Sequence, residues 1–170
     1  MKNFEDLTVV IVTYRTDKNI LFKCIDSINN EIQIILVENG NDRTLKQEIE
    51  NRYKNVKVIL SEKNLGYGGG NNLGYEHNKT RYFFVSNPDT IYPKDFFNQI
   101  KNYINKDIEF SIIGASYPNH DNYLSYGGFS NESTEKLKVL DYNDDNLKRV
   151  DWVVGCSMLI DLHNLKTDHL

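Results

Sequence analysis

The sequence predicts an α/β fold with a mainly parallel sheet, helices on both faces and a smaller mixed β portion toward the C-terminus. Two observations carry this prediction. Short runs of β-branched and aliphatic residues alternate with stretches whose apolar residues recur at helical spacing, and the runs themselves are almost continuously apolar. Strands of that kind are buried on both faces, as in a parallel sheet that is covered by helices.

The elements follow one another from the N-terminus as strand and helix in turn. Apolar runs that end in polar residues predict strands at 7–14, 32–40, 55–61 and 81–86. Amphipathic stretches between them predict helices at 19–28, 42–53 and 71–78. Asp42 has the position of an N-cap. A fourth helix is predicted at 93–105, where Pro93 suits the first turn, and a fifth strand at 109–117.

The pattern changes after the fifth strand. Residues 119–150 are polar and rich in turn formers, which predicts a hairpin or an insertion rather than another strand–helix–strand unit. Residues 150–162 form an apolar segment that is shorter than the roughly 20 residues needed to span a bilayer. With 170 residues the chain has the length of one ordinary domain.

Composition excludes several classes of function. A formal net charge of -4 provides no general attraction for nucleic acid or anionic lipid, so any phosphate binding needs a local site. The two cysteines lack a CxxC spacing and the four histidines lack metal-ligand spacing, which favours reduced structural thiols and surface histidines. No membrane-spanning run or signal peptide is present, so we expect a cytoplasmic protein.

A glycine-rich segment, Asn-Leu-Gly-Tyr-Gly-Gly-Gly-Asn-Asn-Leu-Gly at 64–74, lies between the third strand and a short helix. A glycine loop in this place predicts phosphate binding, because glycine lets the backbone approach a ligand and a helix N-terminus favours an anion. The segment contains neither GxGxxG nor the Gly-Lys-Ser/Thr ending of a P-loop. A dinucleotide fold would also place such a loop after its first strand, so dinucleotide and NTPase functions are disfavoured.

Three of the predicted strands end in polar residues: Thr13-Tyr14, Glu38-Asn39 and Asn87-Pro88-Asp89. The carboxyl ends of parallel strands meet at one edge, where ligands of such sheets bind. A carboxylate there suits Mg²⁺ or Mn²⁺, which take oxygen ligands and share them with substrate phosphates. Asp89 is therefore the candidate metal ligand. Its alternative role is that of a cap or turn residue before the next helix.

Five motifs, in this order, resemble the family 2 glycosyltransferases of GT-A fold, and in particular their rhamnosyltransferase-like branch: VVIVTY, ILVENGN, NLGYGGGNNLG, YFFVSNPDT and DWVVGCSMLI. The resemblance covers nearly the whole chain and implies a Rossmann-like GT-A domain. It further implies transfer of a sugar, with inversion, from a UDP- or dTDP-sugar to a saccharide or lipid-linked saccharide. The expected setting is bacterial surface polysaccharide synthesis in the cytoplasm, at the inner face of the membrane.

The resemblance also assigns residues to the nucleotide-sugar. Thr13, Tyr14 and Glu38 occupy the positions that hold the base and ribose, with Glu38 where Asp is the more usual residue. The segment that flanks the base and diphosphate contributes Asn64, Gly66 and Asn72. Asn87 and Asp89 correspond to a variant of the DxD metal motif. Asp89 is expected to bind Mg²⁺ or Mn²⁺, and Asn87 to orient the ribose or a metal-bound water.

On the acceptor side, the resemblance implies that Trp152 stacks on a sugar and that Gly155 permits close approach; a core aromatic is the alternative for Trp152. The general base of the family is expected beyond residue 170, because Asp161 and Asp168 come too early for it. No catalytic base is therefore assigned. We expect a single, truncated GT-A-like domain, with a nucleotide-sugar-binding part at 1–116 and the start of an acceptor-side part at 117–170.

Two other functions stay open. A catalytically inactive module of the same fold would bind nucleotide or glycan without turnover. A nucleotidyltransferase would share the α/β pattern, but its glycine-rich loop belongs near the first strand, where this sequence has none.

Overall fold

The structure, a computed structural model, describes residues 4–106, 109–115, 117–118, 124–125 and 150–165. Its strands are β1 (Leu7–Thr13), β2 (Gln33–Glu38), β3 (Val56–Leu60), β4 (Tyr82–Ser86), β5 (Ile112–Gly114), β6 (Tyr117–Pro118), β7 (Leu124–Ser125) and β8 (Ser157–Asp161). Its helices are α1 (Lys18–Asp26), α2 (Arg43–Arg52), α3 (Gly66–Glu76) and α4 (Phe96–Asn105), and a 3-10 turn at Phe4–Asp6 precedes β1.

Six strands form one sheet in the order β3-β2-β1-β4-β8-β5. The first four strands of the chain pair in parallel, with Thr13 opposite Glu38 in the β1–β2 register. Strand β8 runs antiparallel between β4 and β5, so Ser157, its first residue, lies opposite Ser86, the last residue of β4. The prediction of a mainly parallel sheet with a mixed C-terminal portion is confirmed, whereas the insertion of β8 beside β4 was not foreseen.

The core lies on both faces of this sheet, as the near-continuous apolar strands predict. All seven residues of β1 are buried. One core cluster joins β1 residues Val9 and Ile11 to buried residues of α1, α2 and α4, and the other joins Val10 and Val12 to the face covered by α3. The alternation of β1 side chains between two faces thus seats three helices on one side and α3 on the other.

The helix starts show local sequence signals at work. Asp42 is the N-cap of α2, as predicted, and its carboxylate accepts a hydrogen bond of 2.9 Å from the backbone N–H of Leu45. Asp17 caps α1 by accepting from the N–H groups of Asn19 and Ile20. Each cap satisfies N–H groups that have no partner inside the helix.

The prediction of a glycine loop followed by a helix at 71–78 is wrong in its first part, because the glycines themselves are helical. Helix α3 starts at Gly66, whose φ of +71° is the left-handed value that favours glycine. Two later glycines allow α3 to pack closely against β1. A Cβ on Gly70 would lie 2.5 Å from Val12 Cγ1, and one on Gly74 would lie 2.5 Å from Val10 Cγ1. Tertiary packing therefore outweighs the low helix propensity of glycine here.

Two elements also differ from the predictions. Helix α4 begins at Phe96 rather than at Pro93, whose carbonyl accepts the Phe96 N–H in a preceding turn. The strand predicted at 109–117 is divided into β5 and β6. Most of the polar stretch 119–150 lies outside the described residues, but the antiparallel pairing of β6 with β7 fits the predicted hairpin. None of the helices in the described part of the chain is long and apolar enough to cross a membrane.

Candidate active site

The carboxyl ends of β1, β2, β3 and β4 meet at one edge of the sheet, which we call the carboxyl edge. Backbone hydrogen bonds connect the loops there: Asn39 N–H donates to the Thr13 carbonyl at 2.9 Å, and Ser61 N–H donates to the Glu38 carbonyl at 3.0 Å. Because β8 is antiparallel, its amino end comes to the same edge, where Asn87 N–H donates to the Cys156 carbonyl at 3.1 Å. The predicted convergence of the strand ends is therefore present.

A cavity of about 390 Å³ opens at the carboxyl edge between the loops that follow β1, β2 and β3. Its lining contains three of the residues predicted to bind nucleotide: Tyr14, Glu38 and Asn64. The other lining residues are Arg15, Thr16, Lys18, Asn39, Gly40, Asp42, Leu45, Glu62 and Lys63. The volume is in the range of small-molecule sites, and the lining mixes cations, carboxylates and amides.

Glu38 is 2% exposed, and its carboxylate organises the loop after β2. One oxygen accepts from Gly40 N–H at 2.9 Å and the other accepts from Asp42 N–H at 2.5 Å. These two bonds compensate the burial of the charge. A carboxylate has about four acceptor positions, so Glu38 can also accept from a ligand in the cavity that it lines.

The end of β1 presents one buried and one exposed side chain. Thr13 is 2% exposed, and its hydroxyl donates to Thr16 Oγ1 at 2.9 Å across the turn. Tyr14 is 42% exposed, with the Arg15 guanidinium 5.1 Å from its ring centroid. Arg15 has φ of +54°, an uncommon conformation for a residue other than glycine. The turn therefore holds an aromatic face at the cavity at some cost in backbone strain.

Two buried amide oxygens at this edge have no hydrogen-bond partner within the described residues, Asn39 Oδ1 and Asn71 Oδ1. Asn39 is 3% exposed, and its Nδ2 donates to the Gly66 carbonyl at 3.1 Å. Asn71 donates to the Tyr67 carbonyl at 3.0 Å. A buried polar atom without a partner is costly and calls for a water or a ligand donor. Sequence reasoning had not selected Asn39 as a site residue, although it adjoins Glu38 in the strand-end pattern.

The start of α3 faces the same edge. Gly66 N–H donates to Asn64 Oδ1 at 2.9 Å, and Asn39 contacts the Gly66 carbonyl from the side of β2. Asn72 is partly buried in the second turn of the helix. The first turn of a helix carries N–H groups that favour an anion. Asn64, Gly66 and Asn72 therefore lie at or near the amino end of α3, and their roles in nucleotide binding stay a prediction.

Asn87, Pro88 and Asp89 form a turn directly after β4. Asn87 is partly buried and Asp89 is exposed. The Asn87 carbonyl accepts from Ser86 Oγ at 3.0 Å and from Cys24 Sγ at 3.4 Å. Burial raises the pKa of the Cys24 thiol to about 11, which keeps it protonated as a donor. Cys24 and Cys156 are both free thiols in the structure.

The fit of a divalent cation to this turn follows from its donor set. Within the described ranges no group of three or more His, Cys, Asp or Glu side chains lies close enough together to hold a metal ion. Asp89 supplies one exposed carboxylate, and Asn87, two residues earlier, supplies an amide oxygen. Oxygen donors of this kind suit Mg²⁺ or Mn²⁺, which retain waters and complete their shell with substrate phosphates. The residues therefore fit a cation shared with a bound diphosphate.

The segment before β8 lies on the other side of the same turn. Trp152 is 41% exposed, so its ring is accessible to a ligand. The Gly155 carbonyl accepts a hydrogen bond of 2.7 Å from the hydroxyl of Tyr67, which belongs to the first turn of α3. Burial raises the pKa of Tyr67 to about 12, with the nearby Cys156 and Asp89 adding to the effect. Tyr67, another residue that the sequence did not single out, thus joins the two sides of the site.

The sequence profile described as "Glycosyl transferase family 2" matches residues 8–159. The chain belongs to glycosyl transferase family 2. This confirms the family inferred from the five motifs, and the matched range contains every residue assigned above to the candidate site.

A curated relative of this chain is the low-salt glycan biosynthesis hexosyltransferase Agl10 of Haloferax volcanii. It is 26% identical over 165 residues, which cover 92% of this chain and 52% of the relative. The chain therefore spans about half the length of the curated relative it matches. The relative is a hexosyltransferase of glycan biosynthesis and carries no indication of the rhamnosyltransferase-like branch.

Solved structures with the same fold support the GT-A architecture. The mannosyltransferase PcManGT of Pyrobaculum calidifontis, in complex with GDP-Man and Mn²⁺, has a TM-score of 0.57 and 13% identity, covering 66% of this chain and 36% of its own. S. aureus TarS 1-349 in complex with UDP-GlcNAc has a TM-score of 0.50 and 16% identity, covering 65% of this chain and 39% of its own. At these identities the likeness shows the fold alone.

Proposed function

We propose that this chain forms the donor-binding part of a glycosyltransferase that transfers a hexose from a nucleotide-diphospho-sugar to a saccharide acceptor. The observation that carries the proposal is the convergence on the carboxyl edge. A cavity lined by Tyr14, Glu38 and Asn64, the first turn of α3 and the exposed carboxylate of Asp89 lie along one edge of the sheet. Membership of family 2 and the fold shared with enzymes bound to GDP-Man and UDP-GlcNAc support it.

In this proposal the nucleoside occupies the cavity. Tyr14 provides an aromatic face for the base, and Glu38 accepts a base N–H or a ribose hydroxyl beside the two backbone bonds that it already makes. Thr13 holds the turn that presents Tyr14. The unpartnered oxygen of Asn39 adds an acceptor at the same place. We propose UDP- or dTDP-sugars as donors, from the motifs of the rhamnosyltransferase-like branch, with GDP-sugars as the competing class.

The diphosphate then lies between the start of α3 and the Asn-Pro-Asp turn. The helix N-terminus attracts negative charge, and Asn64, Gly66 and Asn72 line the approach. Asp89 would hold Mg²⁺ or Mn²⁺, with Asn87 orienting the ribose or a bound water. When bound, the cation neutralises the charge that develops on the departing nucleoside diphosphate. Asp89 and Asn87 would contribute by holding the positive charge of the cation at the end of β4.

The acceptor approaches from the segment before β8. Trp152 offers an exposed ring on which a sugar can stack, and Gly155 lies beside Tyr67 at the boundary with the donor side. Transfer with inversion needs one in-line attack by an acceptor hydroxyl. Asp161 is unsuited to deprotonate it, because it is 1% exposed and bound to Arg81 at the opposite edge of the sheet. We therefore propose that another residue of the whole protein is the base. We further propose that the protein acts in polysaccharide synthesis, at the inner face of the membrane.

The proposal is tested by titrating the protein with UDP, dTDP and GDP by calorimetry, with and without Mn²⁺ or Mg²⁺. We expect one nucleotide class to bind in a metal-dependent way. Asp89→Ala should weaken binding in the presence of metal at least about tenfold, as expected for loss of a charged ligand. Its free energy of unfolding should change by less than about 0.5 kcal/mol, because Asp89 is exposed.

Asp26→Ala is the matched control, since Asp26 is also an exposed aspartate but ends α1, is absent from the cavity lining and pairs with Arg52. Its nucleotide affinity should equal that of the wild type. Absence of binding to all three nucleotides at millimolar concentration would contradict the proposal. Donor binding without sugar transfer by the full-length protein would instead favour the inactive binding module.

A further inference from the structure

We propose that Tyr92 is a positioning residue for the Asn-Pro-Asp turn, acting through a relay of buried hydroxyl groups that ends on the Asn87 carbonyl. This inference rests on the proposed function, since its consequence is the metal-dependent binding of a nucleotide. Tyr92 lies outside the five motifs that identified the family. It follows Asp89 by three residues, but it is 6% exposed, belongs to the core cluster and is absent from the cavity lining.

The relay has a defined direction. The Tyr92 hydroxyl donates to Ser86 Oγ at 2.7 Å, and Ser86 Oγ donates to the Asn87 carbonyl at 3.0 Å. Ser157 Oγ lies 3.1 Å from the Tyr92 oxygen. Because a tyrosine hydroxyl has one proton, and that proton is given to Ser86, Ser157 must be the donor to Tyr92. The three hydroxyls therefore donate in one sense toward the turn, an arrangement in which each bond polarises the next.

A backbone hydrogen bond from β8 also holds the residue at which the relay ends. Ser157 is the first residue of β8 and lies opposite Ser86 in the antiparallel register. The residue before it, Cys156, accepts the Asn87 N–H at 3.1 Å. The peptide groups of Asn87 are thus held from both sides, by the hydroxyl relay at the carbonyl and by β8 at the N–H. Asp89 follows this fixed point by two residues.

The middle member of the relay, Tyr92, is held in place by packing. The Tyr92 ring lies 4.7 Å from Phe96, 5.1 Å from Phe97 and 5.8 Å from Phe84, measured between ring centroids. Its backbone N–H donates to Ser27 Oγ at 3.1 Å. A ring in this aromatic cluster cannot shift without disturbing several neighbours. The hydroxyl is consequently a fixed reference from which the position of the turn is set.

The relay and the backbone bond to β8 fix the backbone near Asp89, which an exposed metal ligand requires for its position. Asp89 is exposed and supplies one carboxylate, and among the described residues its side chain makes no hydrogen bond or ion pair that would hold it for a cation. Preorganisation must come from the backbone on either side, and the buried bonds at Asn87 supply it. Metal ligands are commonly oriented by such outer partners, whose loss weakens metal affinity. A purely structural role for Tyr92 would affect stability alone.

The test is a double-mutant cycle between Tyr92→Phe and Asp89→Ala, read by calorimetry of UDP, or of whichever nucleotide the wild type binds, with and without Mn²⁺. Free Mn²⁺ is followed in parallel by its paramagnetic resonance signal. Tyr92→Phe keeps the ring and removes the first donor to Ser86. We expect it to weaken metal-dependent nucleotide affinity about 3- to 10-fold, the range of one net hydrogen bond. Affinity without metal should stay unchanged.

In the Asp89→Ala background, Tyr92→Phe should have no further effect on nucleotide affinity, because the two residues then act through one ligand. Tyr53→Phe is the matched control, since it also removes a tyrosine hydroxyl bond, 2.8 Å to Asp26, but lies at the end of α2 and outside the relay. Its metal-dependent affinity should equal the wild type. If Tyr92→Phe fails to fold, Ser86→Ala removes the last donor of the relay and gives the same expectations.

Equal weakening with and without metal, additive effects in the cycle, or a lowered melting temperature with wild-type affinity would each overturn the inference. These outcomes are distinct from failure of the proposed function, in which the wild type itself binds no nucleotide. A wild type that binds nucleotide independently of metal would also overturn the inference while leaving the donor site in place.

Discussion

The amino and carboxyl edges of the central sheet differ in how completely their buried polar groups are hydrogen-bonded within the protein. At the amino edge, where β4 begins and β8 ends, Asp161 is 1% exposed and accepts four hydrogen bonds, two of them from the Arg81 guanidinium at 2.8 and 2.6 Å. The others come from His163 N–H and Asn164 Nδ2, both at 3.1 Å. At the carboxyl edge, two buried amide oxygens have no described partner and several aromatic rings are exposed.

This difference distinguishes polar groups that stabilise the fold from polar groups that are available to a ligand. At the amino edge, a buried carboxylate that accepts four hydrogen bonds from protein donors holds β8 against β4, and its acceptor positions are already used. Unpartnered acceptors and an exposed carboxylate stabilise the empty protein little, but they are available to a nucleotide and its cation. The sheet therefore has a closed edge, the amino edge at Asp161, which stabilises the fold. Its open edge is the carboxyl edge, which we propose as the substrate site.

The largest expected effect on stability comes from breaking the closed edge with Asp161→Ala. Arg81, His163 N–H and Asn164 would lose their common acceptor, and the guanidinium would recover only part of its hydration. We expect a loss of about 3 kcal/mol in the free energy of unfolding, measured by urea denaturation. Nucleotide affinity of the folded fraction should stay unchanged. The exposed pair Arg52–Asp26 is the control, and Asp26→Ala should cost less than about 1 kcal/mol. Equal losses in the two variants would contradict the comparison.

A smaller effect is expected at the carboxyl edge from Gly70→Ala. The new Cβ would lie 2.5 Å from Val12 Cγ1 and 3.2 Å from Asn39 Nδ2, and the β-branched valine has little freedom to move aside. We expect a loss of about 1 to 3 kcal/mol from overpacking, measured by thermal unfolding. Gly68→Ala is the matched control in the same helix. Nothing lies within 4 Å of its Cβ, so the better helix propensity of alanine should stabilise the protein by about 0.5 kcal/mol. Destabilisation by both would show that α3 tolerates no alanine for another reason.

The smallest expected effect is the pH dependence of the closed edge. Burial alone would raise the pKa of Asp161, but the hydrogen bonds from Arg81 and His163 N–H outweigh it and lower that pKa below its usual range. A lowered native pKa contributes stability that is present above the unfolded pKa near 4 and is lost as the pH falls through the native pKa. Urea denaturation from pH 7 to pH 2 should therefore show a steeper acid loss for the wild type than for Asp161→Asn. Identical pH profiles would mean that protonation of Asp161 does not change the free energy of unfolding.

Local pattern was sufficient for the strands and for most of the helices. The runs of β-branched, aliphatic and aromatic residues at β1 to β4 and the cap at Asp42 depend on neighbours in sequence, and both were predicted. The glycine run of α3 was not, because glycine lowers helix propensity and only the contacts of Gly70 and Gly74 with β1 make a helix favourable. The strand-end residues of the site were predicted in the same local way, whereas Asn39, Tyr67 and Tyr92 were not. Their roles depend on partners 27 to 88 positions away, such as Gly66, Gly155 and Ser157.

By itself, the sequence determined the alternation of strands and helices, the parallel character of the first four strands, the family, and the polar strand ends that meet at the carboxyl edge. These features follow from periodicity and from the order of motifs along the chain. Only the tertiary structure decided that β8 lies between β4 and β5, that the glycines belong to a closely packed helix, and that Asp161 closes one edge while a hydroxyl relay supports the other. Such features are set by contacts between distant residues, and their free energy appears only when the sheet is assembled.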